Sequence, residues 1–359
     1  DYPFQVSGGK GSVRAWLTLD HARLAGFTAD VGLVDVNARL RKALPPLSLK
    51  RVNGRISARE TIPRGAAPGT PTFGVYGHSA SLTGFSVETG DGLILPATSI
   101  SETFVPAQKG KPETVTVSAR TLDLATLAAV GTQLPLTDTQ RAMLSDFGPR
   151  GRVENLSAQW QGQYPEISSY RIKARMVNLG LKPQAARLAR AKTATSPGMA
   201  AAPAIPGFDN LTGTIDATDK GGTISLDSQG TLLHLPAWFE KPEMRFDQLD
   251  MKARWSFEGQ DRLRVELDKM EFVQGSLKGS LSGTHLRPLA GVPGNALGTV
   301  DIKGKLDGFE VNRIGDYLPL QASPHLRDWL VGALEGGTAH DVALTLRGEL
   351  SQFPFRANN

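Results

Sequence analysis

The sequence predicts a mostly β protein built from an antiparallel sheet, and three features support this prediction. Apolar and polar side chains alternate along many segments, turn-forming residues separate those segments, and some segments recur along the chain. Because successive side chains of a strand point to opposite faces, an alternating segment indicates a strand with one apolar and one polar face. The clearest examples are residues 13–19, 249–257, 263–267, 300–304 and 342–346.

Glycine-containing turn signals separate the predicted strands. Sequences of this kind favour tight reversals between neighbouring strands. We therefore predict about eighteen strands, mostly in meander order, which makes the sheet antiparallel. The turn signals include Asp91-Gly92, Lys220-Gly221-Gly222, Glu258-Gly259 and Gln274-Gly275.

Two segments resemble each other closely enough to predict a tandem arrangement. Residues 151–162 read GRVENLSAQWQG and residues 337–348 read GTAHDVALTLRG, so their first and last glycines coincide. Each segment follows a Leu-Pro-Leu sequence and a helix-like stretch. Repeated units of this kind are typical of an extended, stacked architecture. We expect a first β unit at 1–182 and a second, related β unit at 207–359.

The few expected helices are short and carry their own end signals. Thr137 followed by Gln140 resembles a capping box, with Gly148-Pro149 as the stop. Ser323-Pro324 supplies an N-cap and a first-turn proline for a second helix. The helical stretches are expected near 122–147, 311–317 and 323–334.

Residues 183–206 differ from the rest of the chain. They read PQAARLARAKTATSPGMAAAPAIP, which is rich in alanine and proline and has no apolar period. This composition is typical of a flexible insertion or linker. A basic helix over 184–192 that contacts a membrane is the alternative.

Composition sets limits on the class of protein. The chain has 359 residues, of which 40% are hydrophobic, and a formal net charge of +5. Basic and acidic residues are interspersed, which favours solvated strand faces over a dedicated anionic partner, although an anionic lipid surface is an alternative. Neither a membrane span of about 18 apolar residues nor a signal peptide is recognisable. We expect the chain to be a piece of a longer protein.

No residues of the kind that carry catalysis form a recognisable site. The chain has no cysteine, which excludes disulfides and thiol chemistry, and its six histidines lack zinc-hydrolase spacing. The glycine-rich residues 8–12 have the wrong spacing for a phosphate loop, and the aspartates in 216–227 lack calcium-loop spacing. Paired acids beside exposed aromatics, as in carbohydrate-processing enzymes, are not recognisable. The tryptophans lie in apolar runs, which argues against base stacking. We therefore expect no enzyme activity, no metal or other cofactor and no nucleic-acid partner.

A surplus of one-sided apolar strands remains, and it has two explanations. In a sandwich, two apolar faces cover each other and form a closed core. In a single curled sheet, the apolar face lines a groove. Amphipathic strands alone do not separate these two architectures.

Three parts of the sequence resemble the YhdP branch of the AsmA-like proteins. The match is clearest over 207–228, GFDNLTGTIDATDKGGTISLDS, and over Tyr317-Leu-Pro-Leu320 with Leu326-Arg-Asp-Trp-Leu330. The ending 348–355, GELSQFPF, resembles the Gly-x-Leu-x-x-Phe-Pro-Phe sequence of that family. The amino-terminal 11–17, GSVRAWL, fits more loosely, and the insertion at 183–206 departs from the family pattern.

This resemblance implies a fold, a location and a role. AsmA-like proteins are anchored in the inner membrane of Gram-negative bacteria and extend through the periplasm as long β structures curled into an apolar groove. We therefore expect an elongated antiparallel sheet curled into an open, β-taco-like groove, in a periplasmic segment of an inner-membrane-anchored parent protein. The expected role is a passive conduit that moves phospholipid between the inner and outer membranes. The family has no catalytic residues to carry over.

The expected ligands are the acyl chains of phospholipids. The other expected partners are the inner and outer membranes, reached through parts of the parent chain, and the sequence does not identify a protein partner. A non-catalytic periplasmic scaffold in outer-membrane assembly, with its apolar faces packed shut, is the alternative. The candidate groove-lining residues are Ile224, Leu226, Met251, Trp255, Phe257, Val265, Leu267, Leu277, Leu281, Ile302, Leu344 and Leu346.

Overall fold

A computed structural model describes most of the chain. The described residues are 5–20, 23–39, 44–62, 76–131, 133–134, 136–163, 166–187, 204–259, 261–289, 297–320 and 322–352. The predicted insertion at 183–206 therefore lies largely outside the described residues, as do residues 353–355 of the family-like ending. Where the described chain meets the insertion, Gln184 and Ile205 exchange two backbone hydrogen bonds of 2.9 Å.

Strands dominate the described residues. In the first half of the chain they are β1 Gln5–Ser7, β2 Lys10–Asp20, β3 Arg23–Arg39, β4 Leu47–Glu60, β5 His78–Thr89, β6 Ile94–Val105, β7 Thr114–Asp123, β8 Arg150–Gln161 and β9 Ser169–Leu181. In the second half they are β10 Gly207–Thr218, β11 Gly221–His234, β12 Glu243–Glu258, β13 Arg262–Gln274, β14 Leu277–Pro288, β15 Thr299–Asp307, β16 Phe309–Glu310, β17 Thr338–Ala339 and β18 Val342–Glu349.

Helices are few and short, as predicted. They are α1 Leu124–Ala129, α2 Asp138–Phe147, α3 Ile314–Tyr317 and α4 Pro324–Ala333, with single 3-10 turns at Val311–Arg313 and Leu350–Gln352. The capping box of α2 is confirmed. The Thr137 hydroxyl accepts a hydrogen bond from the backbone N–H of Gln140, and the Gln140 side-chain oxygen accepts one from the backbone N–H of Thr137. The hydroxyl of Ser323 likewise accepts a hydrogen bond from the Leu326 amide and begins α4.

The described chain divides into two compact units. Unit 1 comprises Asp1–Arg175 and Asp216–Asp219, and unit 2 comprises Met176–Ile215 and Lys220–Asn359. Strands β9 and β10 therefore contribute residues to both units. The predicted unit boundaries at 1–182 and 207–359, and the relation between the two units as repeats, stay predictions.

The sheet of each unit is an antiparallel meander with a free outer edge. In unit 1 the strand order is β1–β3–β4–β5–β6–β7–β8–β9, and β2 pairs with β3 beside β1. In unit 2 the order is β9–β10–β11–β12–β13–β14–β15–β18, and β16 pairs with β17 in a separate ladder. Among the described residues, β2 pairs with β3 alone and β18 with β15 alone, so the sheet is not closed into a barrel. The predicted fold class is confirmed: a mostly β, unclosed antiparallel sheet with a few short helices.

Bulges interrupt the long strands near their middles. The pairing register shifts between Asn53 and Arg55 on β4 in unit 1, and between Lys252 and Ala253 on β12 in unit 2. A further shift lies between Leu267 and Met270 on β13. A bulge bends its strand and increases the local twist. Strands bent in this way are consistent with the curled groove that the sequence predicts.

Part of the apolar face of unit 2 is packed shut. Five buried side chains form what we call the core cluster, and the edge-on rings of Phe246 and Phe272 pack at 5.6 Å beside Leu249, which is 3% exposed. The half-buried Met251 and Met270 pack against the same cluster. The core cluster consists of Met176, Leu211, Leu226, Phe246 and Leu249.

A helical segment between β16 and β17 packs on the β11–β12 loop. We call residues 311–334 the helical cap. Its Arg327 side chain contacts Glu240 of that loop at 3.3 Å and donates to the carbonyl oxygens of Leu318 and Pro319. The Tyr317 hydroxyl donates to Gln274 at 2.7 Å, and burial raises the pKa of this phenol.

Candidate functional site

The twelve apolar side chains predicted to line a groove lie on one face of the sheet in unit 2. Met251 of β12 lies opposite Leu226 of β11, and Trp255 lies opposite Val265 of β13. The same register extends across β14 and β15 to β18. Ile302 of β15 lies opposite Gly283 of β14 on one side and opposite Leu346 of β18 on the other. Because side chains alternate between faces, the remaining predicted residues, at even spacings within each strand, share this face.

Seven of the twelve come together around one apolar depression of about 580 Å³. Its volume lies in the range of small-ligand sites, which is about 300–1,000 Å³. The half-buried indole of Trp255 and the exposed ring of Phe257 contribute the largest lining groups. The seven predicted residues are Ile224, Met251, Trp255, Phe257, Val265, Leu267 and Ile302.

The other five predicted residues are not part of this lining. Leu226 and Leu277 are 7% and 6% exposed, so protein atoms cover them, and Leu226 belongs to the core cluster. Leu281 and Leu346 are half-buried on the same face, and Leu344 is 41% exposed on the outer strand β18. One face of unit 2 thus contains both a sealed region and an open one.

Sequence reasoning missed five residues that line the apolar depression. Ala253 and Leu263 continue the same alternation as their predicted neighbours, so the period of two was a sufficient signal for them. Gly283, Thr284 and His285 of β14 lack the apolar side chains on which the prediction relied. The strand register assigns Gly283 and His285, which lie opposite Leu267 and Val265, whereas it pairs Thr284 with Glu266 of the polar face.

Glycine shapes the floor of the apolar depression. At Gly283, whose φ is +148°, an added Cβ would collide with the backbone of Asp301 and Ile302 on β15. The absence of a side chain at this position lets the two strands approach closely and leaves space above the floor. Nearby, the ring of Phe272 lies over Gly279, where a Cβ would also collide.

The opposite face of the same strands is charged. Arg254 of β12 forms ion pairs with Glu266 and with Asp268, the latter at 3.0 Å. The hydrogen bond from Arg254 to Glu266 and the two negative charges raise the pKa of the guanidinium. These strands therefore hold charge on one face and an apolar surface on the other.

Unit 1 has an apolar face of the same kind, and this face also holds polar side chains. Ile100 lies opposite Ala119, which lies opposite Leu156, so apolar side chains continue across β6, β7 and β8. On the same face, His78 Nε2 lies 3.3 Å from a carboxylate oxygen of Glu102. The alternation of residues thus produces two-faced sheets in both units.

The chemistry that this arrangement can perform is apolar binding. Within the described residues, no group of three or more His, Cys, Asp or Glu could hold a metal ion. The described helices include none that is long and apolar enough to cross a membrane. The geometry offers an uncovered apolar surface with small-ligand dimensions.

Comparison with known proteins agrees with this geometry. A family model described as "YhdP protein" matches residues 3–359, which is nearly the whole chain. The chain belongs to the YhdP protein family. No curated protein and no solved structure matches it significantly. The resemblance in the sequence to the YhdP branch is thereby confirmed.

Membership of the YhdP family limits the functional classes. The family is associated with the cell envelope and is a non-catalytic transport family. Membership is therefore consistent with lipid transport in the envelope.

Proposed function

We propose that this chain is a segment of a passive conduit for phospholipid, in which acyl chains lie on the apolar face of a curled sheet. The apolar depression of unit 2 carries this proposal, because an apolar surface of this size on a bent strand face is left without covering side chains. Exposed apolar surface of this extent in a soluble region favours a ligand or partner.

The physical advantage of such a surface is large. Removing apolar atoms from water contributes about 0.8 kcal/mol per CH2 group. A phospholipid with about thirty methylenes in its tails would lose on the order of 20 kcal/mol on crossing water unprotected. An apolar trough lowers this barrier while the headgroup stays in water. The role needs no nucleophile, metal or cofactor.

The proposal includes a location and partners. A YhdP family segment that moves phospholipid between the inner and outer membranes would lie in the periplasm, in a parent protein anchored in the inner membrane. Its ligands would be acyl chains of many phospholipids, since an apolar wall recognises chain length poorly. The direction of phospholipid transport and the energy for it would come from elsewhere in the envelope, because the apolar surface itself binds lipid passively.

Native mass spectrometry of the purified chain tests the proposal. We expect phospholipid to co-purify with the wild-type chain, and Ile224→Asp to reduce the lipid-bound fraction several-fold. Ile224 lines the apolar depression, whereas its neighbour Thr223 is exposed and points to the opposite face. Thr223→Asp is therefore the matched control and should retain lipid.

The outcome also separates the conduit from a sealed scaffold. A scaffold with packed apolar faces would carry no lipid, and Ile224→Asp would unfold it without changing any lipid signal. Absence of phospholipid from folded wild-type chain purified in mild detergent would overturn the proposal.

A further inference from the structure

Arg287 is a cation on the apolar face of unit 2. Arg287 of β14 lies opposite Leu263, and His285, two residues before it, lies opposite Val265. Leu263, Val265 and His285 all line the apolar depression, so alternation places Arg287 on the same face at the edge of the depression.

We compared the described residues that lie on this face in the six strands around the depression. Among them, Arg287 is the one residue with a permanent charge. The bulge residues Asp268 and Lys269 instead bind Arg254 and Glu271 of the polar face. The segments concerned are 222–228 of β11, 249–257 of β12, 263–272 of β13, 277–287 of β14, 300–306 of β15 and 342–348 of β18.

Arg287 has no acidic partner in the part of the chain that the structure describes. The carboxylates at the adjoining end of β12 and β13 are engaged elsewhere, since Glu258 pairs with Arg264 and Asp261 lies 3.9 Å from Arg262. Residues 290–296, which follow β14 and lie outside the described part of the chain, contain no aspartate or glutamate. The neighbouring His285 is also committed, because its Nε2 lies 2.8 Å from the Leu297 carbonyl oxygen.

A lone guanidinium beside an apolar site suits an amphipathic anion. The aliphatic stem of an arginine can lie along an apolar surface while its charged end stays in water. The planar guanidinium binds phosphate with two parallel hydrogen bonds, which are stronger than bonds between neutral groups. Arg287 is exposed, so a phosphate can reach it from solvent.

We propose that Arg287 binds the phosphate of a phospholipid whose acyl chain occupies the apolar depression. This inference rests on the proposed function and adds a headgroup subsite to it. It makes unit 2 selective for phosphate-bearing lipids over uncharged lipids with the same tails. Both contacts are required, so phosphate without a tail binds weakly at this position.

The experiment measures equilibrium binding of soluble short-chain lipids to the intact chain by isothermal titration. The two lipid probes are dihexanoyl phosphatidylglycerol and dihexanoylglycerol, which share tails and differ in the phosphoglycerol headgroup. We expect Arg287→Gln to weaken binding of the phosphate-bearing probe about tenfold and to leave binding of the uncharged probe unchanged. Arg287→Lys should fall between the two, because it keeps the charge and loses the bidentate geometry.

Arg245→Gln is the matched control. Arg245 is exposed on β12 next to the buried Phe246, so its side chain points away from the core cluster. This variant should bind both probes as the wild type does. Inorganic phosphate and glycerophosphate, added at the concentration that saturates the lipid probe, should not displace it.

Each contrary outcome has a separate meaning. Binding of neither lipid by the wild-type chain would overturn the proposed function itself. Binding of both lipids with no change in Arg287→Gln would overturn the headgroup subsite and leave the apolar site standing. Displacement of the lipid probe by inorganic phosphate would show a free-phosphate site and would also overturn this inference.

Discussion

At the scale of single residues, neighbours on one strand have opposite surroundings. Trp255 lines the apolar depression, and Ser256 is exposed on the charged face. The sequence predicted this difference, because alternation with a period of two assigns neighbouring residues to opposite faces.

We expect Trp255→Asp to block lipid binding while the chain stays folded. The carboxylate would place a charge where acyl chains must lie, and because Trp255 is only half-buried, the free energy of unfolding should fall by about 1–2 kcal/mol. Lipid crosslinking and denaturant unfolding, measured on the same preparation, check this. Ser256→Asp should leave both unchanged, and normal crosslinking in an unfolded Trp255→Asp variant would contradict the account.

Buried and exposed apolar side chains of unit 2 respond differently to loss of volume. Leu249 is 3% exposed in the core cluster, whereas Leu344 is 41% exposed on β18. Leu249→Ala should lower the free energy of unfolding by about 2–4 kcal/mol, and Leu344→Ala by less than about 1 kcal/mol. Urea unfolding monitored by tryptophan fluorescence distinguishes these values. Equal losses would show that Leu344 is covered like a core residue.

The boundary between core and depression could not be predicted from the sequence. Ile224 and Leu226 are two residues apart on β11 and have the same apolar character, yet Ile224 lines the depression and Leu226 is buried. Periodicity reports the face on which a side chain lies and carries no information about what covers that face. The covering side chains come from distant strands, such as those of Met176 and Phe246.

At the scale of elements, strands and helices followed local signals closely. The capping box at Thr137 and the Ser323-Pro324 start both begin helices at the predicted positions. The bulge on β13 was not predicted, although the consecutive polar residues Asp268 and Lys269 mark the change of phase from Leu267 to Met270. One extra residue shifts the alternation, and this shift is the signal that a bulge leaves in a sequence.

The helical cap depends on Arg327. This side chain joins Glu240 to the carbonyl groups of Leu318 and Pro319, so its removal frees three acceptors at once. We expect Arg327→Ala to increase amide hydrogen exchange about tenfold in 314–334 and to leave exchange in β12 and β13 unchanged.

Hydrogen exchange with mass spectrometry provides the measurement, and Arg347→Ala is the control because its side chain is 78% exposed on β18. Faster exchange throughout the sheet of unit 2 would show that the helical cap is part of the cooperative core. Unchanged exchange in 314–334 would show that Arg327 does not hold it.

At the scale of the whole molecule, both units show the same division of the sheet into an apolar and a polar face. Each unit contains a free-edged antiparallel sheet with an apolar and a polar face, and the family match covers both units. The groove predicted from the family resemblance therefore has its physical basis in alternation, bulges and an uncovered apolar surface. The lipid itself was predictable only from that resemblance, because an apolar wall does not encode which lipid it contacts.

Photocrosslinking in living cells tests the central claim most directly. A photoreactive amino acid would replace, one at a time, successive residues of β12 from Met251 to Trp255. The account predicts phospholipid adducts from positions 251, 253 and 255 and none from positions 252 and 254. Adducts without this alternation, or adducts from the charged face alone, would contradict it.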